Sequence, residues 1–156
     1  MMGNERWHCE HFINHPPSTI LQSMPRIEVA AGLVFREGRL LITQRPPASH
    51  LGGLWEFPGG KRELNETFED CLRRELLEEL GVEVVVEELV ASVAHDYPGK
   101  KVLLNFYRCA WLRHEPRSLG CHAFLWVRPS ELAHYSFPDA DTSLLETLQK
   151  SPALWR

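Results

Sequence analysis

The 156-residue sequence contains no apolar run near the ~20 residues that a membrane-spanning helix requires, so no membrane partner is expected. Its first residues show no basic stretch leading into an apolar one, the pattern of a secretory signal, and a cytoplasmic protein is expected. Positive charge is also in short supply. The formal net charge is −4 at pH 7, which argues against the broad basic surface that holds a nucleic-acid polymer, and no such partner is expected. Cysteines are few, and Cys9, Cys71, Cys109 and Cys121 include no C-x-x-C pair. That spacing argues against a zinc ribbon or a disulfide framework and for reduced, mostly packing thiols. No internal repeat is present.

What is present suits one globular core: hydrophobic residues make up 44% and charged residues 24%, in a chain long enough to bury roughly two-thirds of its unfolded surface. Residues 1–25 stand apart. They carry His8, His11, His15, Cys9 and Pro16-Pro17 without a hydrophobic period, and read as a poorly packed N-terminal extension rather than a metal site. A single domain is expected over 26–150, with 151–156 as a C-terminal tail.

Within the domain, Ile27 to Phe35 and Arg39 to Thr43 read as a hairpin about Glu37-Gly38. Pro46 to Gly60, with three prolines and four glycines, reads as a loop long enough to be functional. Thr67 to Leu80 has the helical period, with Phe68, Leu72, Leu76 and Leu80 on one stripe, Thr67 and Asp70 as a capping box and Gly81 as terminator. Val82 to Val93 and Lys101 to Leu112 read as strands around Pro98-Gly99, and Ala123 to Val127 as another. A short helix is expected at Pro129 to His134, and a C-terminal one from Asp139 to Lys150 with Asp139 as its cap. This order implies an α/β (α+β) domain, an α/β/α sandwich around a mixed sheet.

Glu75, Glu78 and Glu79 are related as i, i+3 and i+4, so three carboxylates share one sector of the helix. The helical wheel places Glu79 between Phe68 and Leu72, toward the protein body, where anionic charge is costly unless a cation offsets it. Oxygen donors suit magnesium, or manganese. Arg74, one turn before Glu78, is placed to orient that carboxylate. Gly59-Gly60 allows close backbone approach to a bound ion.

Gly60, Glu66, Arg74, Glu75, Leu76, Glu78, Glu79, Gly81 and Val82 stand at the spacing G-x5-E-x7-R-E-U-x-E-E-x-G-U, where U is a bulky aliphatic. The chain therefore resembles the Nudix hydrolases, from about Val29 to Leu148. The resemblance implies the Nudix fold and a metal held by Glu75, Glu78, Glu79 and the carbonyl of Gly59, with Glu66 and Arg74 supporting them and Glu78 among the catalytic groups. Leu54 to Lys61, Thr43-Gln44-Arg45 and Phe137 to Asp141 look like the MutT branch. Its members hydrolyse oxidised or otherwise modified nucleoside triphosphates to the monophosphate and pyrophosphate, a nucleotide-pool role that protects DNA. By the same resemblance Arg45, His50, Glu56, Phe57, Pro58, Gly59 and Gly60 would meet the nucleotide, and Asp141 would read the base.

Two departures stand out. Where the bacterial 8-oxo-dGTP hydrolase of that branch has Asn, this chain has Asp141, and a related branch acting on CTP and modified pyrimidine triphosphates resembles the chain better around Pro138 to Glu146. Where the family has a Glu six residues before a late-strand tryptophan, this chain has Gly120 before Trp126, which leaves Glu115 or Glu78 as base. Phe57 reads equally as a core aromatic or a base platform. Two other functions remain to be separated: a non-catalytic reader of an oxidised base, and a Nudix enzyme for another nucleoside diphosphate derivative. The sequence leaves monomer against homodimer open.

Overall fold

A computed structural model describes residues 25–156. The expectations for the N-terminal extension and its histidines lie outside the described residues. The sheet has seven strands: β1 (Arg26–Arg36), β2 (Arg39–Gln44), β3 (Trp55–Glu56), β4 (Gly59–Lys61), β5 (Glu83–Tyr97), β6 (Lys100–Arg113) and β7 (Ala123–Val127). Two α-helices, α1 (Phe68–Leu80) and α2 (Thr142–Lys150), complete it with short 3-10 segments.

The main path of the sheet runs β3-β2-β1-β6-β5, with β4 added to β1 and β7 to β2. Only the β1–β6 pairing is parallel, and the rest are antiparallel, so the sheet is mixed. Central β1 is buried on both faces, which explains its unbroken apolar reading. Alternation divides its side chains: Ala31, Leu33 and Phe35 enter one core, and Ala30 and Val34 the other. The first core is closed by Leu144 and Leu148 of α2, the second by Leu72, Leu76 and Leu80 of α1. This is the α/β/α sandwich.

Local chemistry sets the element ends. Glu37 and Gly38 both take positive φ, 51° and 72°, as a tight hairpin turn with right-handed strand twist requires. Thr67 Oγ1 accepts from Asp70 N at 3.0 Å to start α1, while the Asp70 carboxylate pairs with Arg73 at 2.9 Å instead of reaching back to Thr67. Gly81 ends the helix at φ 68°, its N–H donating to the Leu77 carbonyl.

Four expectations need correction. Pro46 to Gly60 is not all loop: β3 lies within it and β4 begins there, because Gly59 has no side chain to keep β4 off the backbone of β1. A β-carbon at Gly59 would overlap the Ala30 carbonyl oxygen. The β5–β6 hairpin runs further than expected at its tip, where β5 passes Val93 to reach Tyr97 and β6 begins at Lys100. Pro129 to His134 is 3-10, held by Arg128 N donating to Glu131 Oε2 at 2.7 Å. Asp139 does not cap α2 with its side chain. It opens a 3-10 turn, Asp139–Asp141, and its carbonyl accepts from Thr142 Oγ1 at 2.8 Å. The C-terminal tail carries a further 3-10 turn, Pro152–Trp155, which puts Trp155 into the core edge-on to Phe35 at 5.4 Å. No described helix is long and apolar enough to cross a membrane.

Candidate functional site

Two cavities meet at one end of the sheet. The first, an acid cleft of about 310 Å³, is lined by Arg45, Ser49, Glu56 and Gly59 on one side and by Glu75, Glu78, Glu79 and Gly120 on the other. The second, about 240 Å³, is largely apolar. Ile27, Val29 and Ala31 of β1 and Val102, Leu104 and Phe106 of β6 form its floor, which the parallel pairing of these two strands brings side by side. Its walls include Phe57, Gly60, Tyr97, Lys100 and Asp141. Arg45, Glu56 and Gly59 line both cavities, so one extended ligand would span them.

The helix α1 supplies the cleft's acids. Its apolar stripe locks its rotation, which leaves Glu79 partly sunk beside that stripe and Glu78 exposed. Glu79 Oε2 accepts from the Gly59 N–H at 3.4 Å. Burial, with the neighbouring charges of Glu56 and Glu75, pushes its carboxyl up to about 7. Gly60 has a different use from the one expected: a β-carbon there would run into the Glu75 carboxylate, so the missing side chain makes room for that acid against the strand.

Arg74 organises the support. Its Nε and Nη2 donate to Glu66 Oε1 and Oε2 at 2.7 and 3.0 Å, a two-pronged pair. Its Nη1 donates to Glu75 Oε1 at 2.8 Å and to Glu78 Oε2 at 3.3 Å. The Arg74 hydrogen bonds, with the Glu63 N–H, hold the Glu66 carboxyl down at about 2. Glu66 and Arg74 thus form a brace behind Glu75.

All donors of the cleft are oxygen, the acids outnumber nearby cations, and one acid, Glu79, is pushed toward neutrality by burial and by the charges of Glu56 and Glu75, which fits magnesium or manganese. Among the described residues, however, no three His, Cys, Asp or Glu side chains close on a single point. Arg74 draws Glu75 and Glu78 to its side, and Glu79 leans to Gly59. The expectation of three fully converged carboxylates is corrected in this respect: they share a cleft without forming a closed cage. Magnesium suits such a site, since it keeps several waters and takes substrate phosphate oxygens as further ligands.

Arg45 spans the junction. Its Nη1 donates to Glu56 Oε2 at 2.7 Å and its Nε to the His50 carbonyl at 2.7 Å. The His50 ring sits at the mouth of the apolar cavity, edge-on to Tyr97 at 6.1 Å. Phe57 is 4% exposed in the core, stacked on Phe137 at 5.2 Å, and also lines the apolar cavity. Pro58 is not brought to either cavity, and its carbonyl accepts from the Gly32 N–H at 2.8 Å. Asp141 is 6% exposed, and burial with the charge of Glu56 pushes it up to about 7.

Of the two departures, Gly120 lies in the cleft against Glu79, its N–H donating to the Glu79 carbonyl at 3.0 Å. Glu115 does not replace a carboxylate there. It pairs with Arg36 at 2.8 Å on another surface, next to Leu77 and Arg117, and that alternative for the base is withdrawn. Sequence reasoning missed Tyr97 and Lys100. Their only signal was an aromatic and a cation flanking a Pro-Gly turn, which says nothing about where a hairpin tip lands.

Comparison with known proteins agrees with this geometry. The NUDIX domain family model matches residues 30–147. The chain is 39% identical over 123 residues to the CTP pyrophosphohydrolase of Escherichia coli, covering 79% of this chain and 91% of that one. It is 47% identical over 83 residues to the 8-oxo-dGTP diphosphatase of Proteus vulgaris, covering 53% and 74%. The solution structure of the E. coli ORF135 protein superposes with a TM-score of 0.75 at 38% identity, covering 85% of this chain and 95% of that one. With the box filled at every position and a matching fold over most of its length, the chain belongs to the Nudix hydrolase family, among its MutT-like members.

Proposed function

We propose that this chain is a magnesium-dependent pyrophosphohydrolase that converts a nucleoside triphosphate, modified ones included, to the monophosphate and pyrophosphate. The observation that carries the reading is the shared wall. Arg45, Glu56 and Gly59 border both the acid cleft and the apolar cavity, so a base in the cavity lays its phosphates across Arg45 into the cleft. A divalent cation bound at Glu75, Glu78, Glu79 and the Gly59 carbonyl would offset phosphate charge and favour hydroxide over water. The chain's own groups do the rest. Arg45 holds the phosphates, Arg74 with Glu66 orients Glu75 and Glu78, and exposed Glu78 is placed to take a proton from water.

Asp141 narrows the base. While it holds its proton, this buried carboxyl offers one O–H donor beside one acceptor, the complement of a ring nitrogen next to an exocyclic amine, as in cytosine. The guanine N1–H and amine edge offers two donors and calls for two acceptors instead. This favours an amino-edged base, in keeping with the relative named for CTP.

Glu78→Gln and Glu79→Gln should each lower pyrophosphate release by at least about a hundredfold with the fold intact. Chelation should stop turnover and magnesium restore it. Release near the wild-type rate by either variant in saturating magnesium would refute the assignment.

A further inference from the structure

A third cavity, about 300 Å³, lies against the apolar one, lined by Leu54, His95, Phe137 and Asp139 together with Leu51, Tyr97, Pro138 and Ala140. The last four residues line both cavities. Two of them, Pro138 and Ala140, are small or fixed by the chain path, so the large shared side chains are Leu51 and, at the β5–β6 tip, Tyr97. The half-buried Tyr97 ring is held on several sides: His95 meets it edge-on at 4.5 Å, His50 at 6.1 Å, and the Lys100 ammonium stands 5.3 Å from its centre. Ala140, beside Asp141 in the chain, borders the third cavity as well.

We propose that Tyr97 is the specificity-determining partition between these cavities and sets the size of the base substituent that the enzyme accepts. This rests on the nucleotide reading above, with the base in the apolar cavity and its exocyclic amine at Asp141. A substituent on that amine lies near Ala140 and Pro138 and meets the Tyr97 ring. Without the ring, the two spaces become one pocket of mixed apolar and polar lining, wide enough for an aromatic substituent. The phenol hydroxyl has no part in this, so the ring's bulk is what counts.

The test is a kcat/KM series on purified wild type, Tyr97→Phe, Tyr97→Leu and Tyr97→Ala. Its substrates are cytidine and adenosine triphosphates whose exocyclic amine carries hydrogen, methyl or benzyl. Wild type and Tyr97→Phe should discriminate against benzyl, while Tyr97→Leu and Tyr97→Ala should narrow the hydrogen-to-benzyl ratio by about tenfold or more, the scale set by steric fit in a pocket. Tyr97 is part of the cavity wall, so the ratio between substrates, and not the absolute rate, is the readout. Melting curves establish that each variant is folded, and the leucine variant serves if the alanine one is not. An unchanged ratio in a folded leucine or alanine variant overturns the partition alone. Failure of the wild type on both unmodified nucleotides overturns the proposed base class and this inference together.

Discussion

The acid cleft and the apolar cavity adjoin, yet they are built in opposite ways. The cleft draws three of its four acids, Glu75, Glu78 and Glu79, from a single helix, and Gly59 of its facing wall stands only sixteen residues upstream of Glu75. The cavity gathers its lining from β1, β6, the loop after β2, the β5–β6 tip and the Asp139–Asp141 turn. Chemistry written in local spacing is tolerant of variation elsewhere, whereas selectivity assembled from distant segments depends on how each hairpin and turn lands. The same end of the sheet can therefore hold one kind of reaction and admit different bases.

The largest effect on this comparison should come from Gly59, one of the three residues common to both spaces. Gly59→Ala drives a β-carbon into the Ala30 carbonyl, and neither backbone can yield without parting β4 from β1. The variant should lose stability by about 2–4 kcal/mol and lose turnover with it, read by denaturant midpoint and pyrophosphate release. If it keeps wild-type stability, the tight β1–β4 seam does not set the cleft's geometry. Next comes Arg74→Ala, which frees Glu66 and Glu75 from their shared partner. Turnover should fall about 10- to 100-fold, as for outer-shell partners of metal ligands, with little change in the preference between bases. A change in base preference of the same size would mean that the two regions are not separable.

The difference in construction also explains what was legible beforehand. Glu75, Glu78, Glu79 and Arg74 could be placed together because a helix fixes residues three and four apart, and because Thr67 and Gly81 mark its ends, whereas Glu66, ahead of the helix, was legible only through the family resemblance. The hairpin about Glu37-Gly38 was readable for the same local reason. Tyr97 was not, since nothing near it in sequence tells that the β5–β6 tip meets the loop carrying His50. Trp155 was passed over because burial by α2 and β1 is a property of the assembled core. The seam of β4 on β1 was hidden in a Pro- and Gly-rich stretch that reads as loop. Even for Gly60, foreseen as important, the reason was different: its bare backbone admits the Glu75 carboxylate.

Asp141 offers a pH-dependent separation of the regions. Its carboxyl is raised from an ordinary 3.8 to about 7, so the folded state holds a proton that the unfolded state has released between those values. Stability from this group is therefore full below pH ~4 and is lost as pH rises toward 7, by an amount on the order of a few kcal/mol. Glu79 has the same sign, so the wild-type slope is composite. Asp141→Asn removes one contribution only: the fall in denaturant midpoint between pH 4 and 7 should become shallower. The amide keeps a donor beside an acceptor at every pH, so the preference for amino-edged bases over guanine-type ones should fade in the wild type as pH rises through 7 and hold in the variant. An identical pH slope of stability and an identical pH dependence of the ranking would take Asp141 out of the cavity's function.

The smallest effect should come from Glu115, the acid nearest in sequence to the family's missing carboxylate. It sits with Arg36, its side chain 70% exposed, and Arg36 in turn lies over the Trp111 ring at 3.9 Å. An exposed pair of this kind is worth at most about 1 kcal/mol, and Arg36 keeps its aromatic contact when the acid is removed. Glu115→Gln should therefore leave kcat and its pH profile unchanged and cost little stability. Gly120→Glu, by contrast, adds a carboxylate inside the cleft beside Glu79 and should alter the magnesium dependence of turnover. If Glu115→Gln lowers kcat by tenfold or more while the melting temperature holds, the loop between β6 and β7 must move to carry Glu115 into the cleft during turnover. In that case, the cleft would owe its chemistry to a distant segment, as the cavity does.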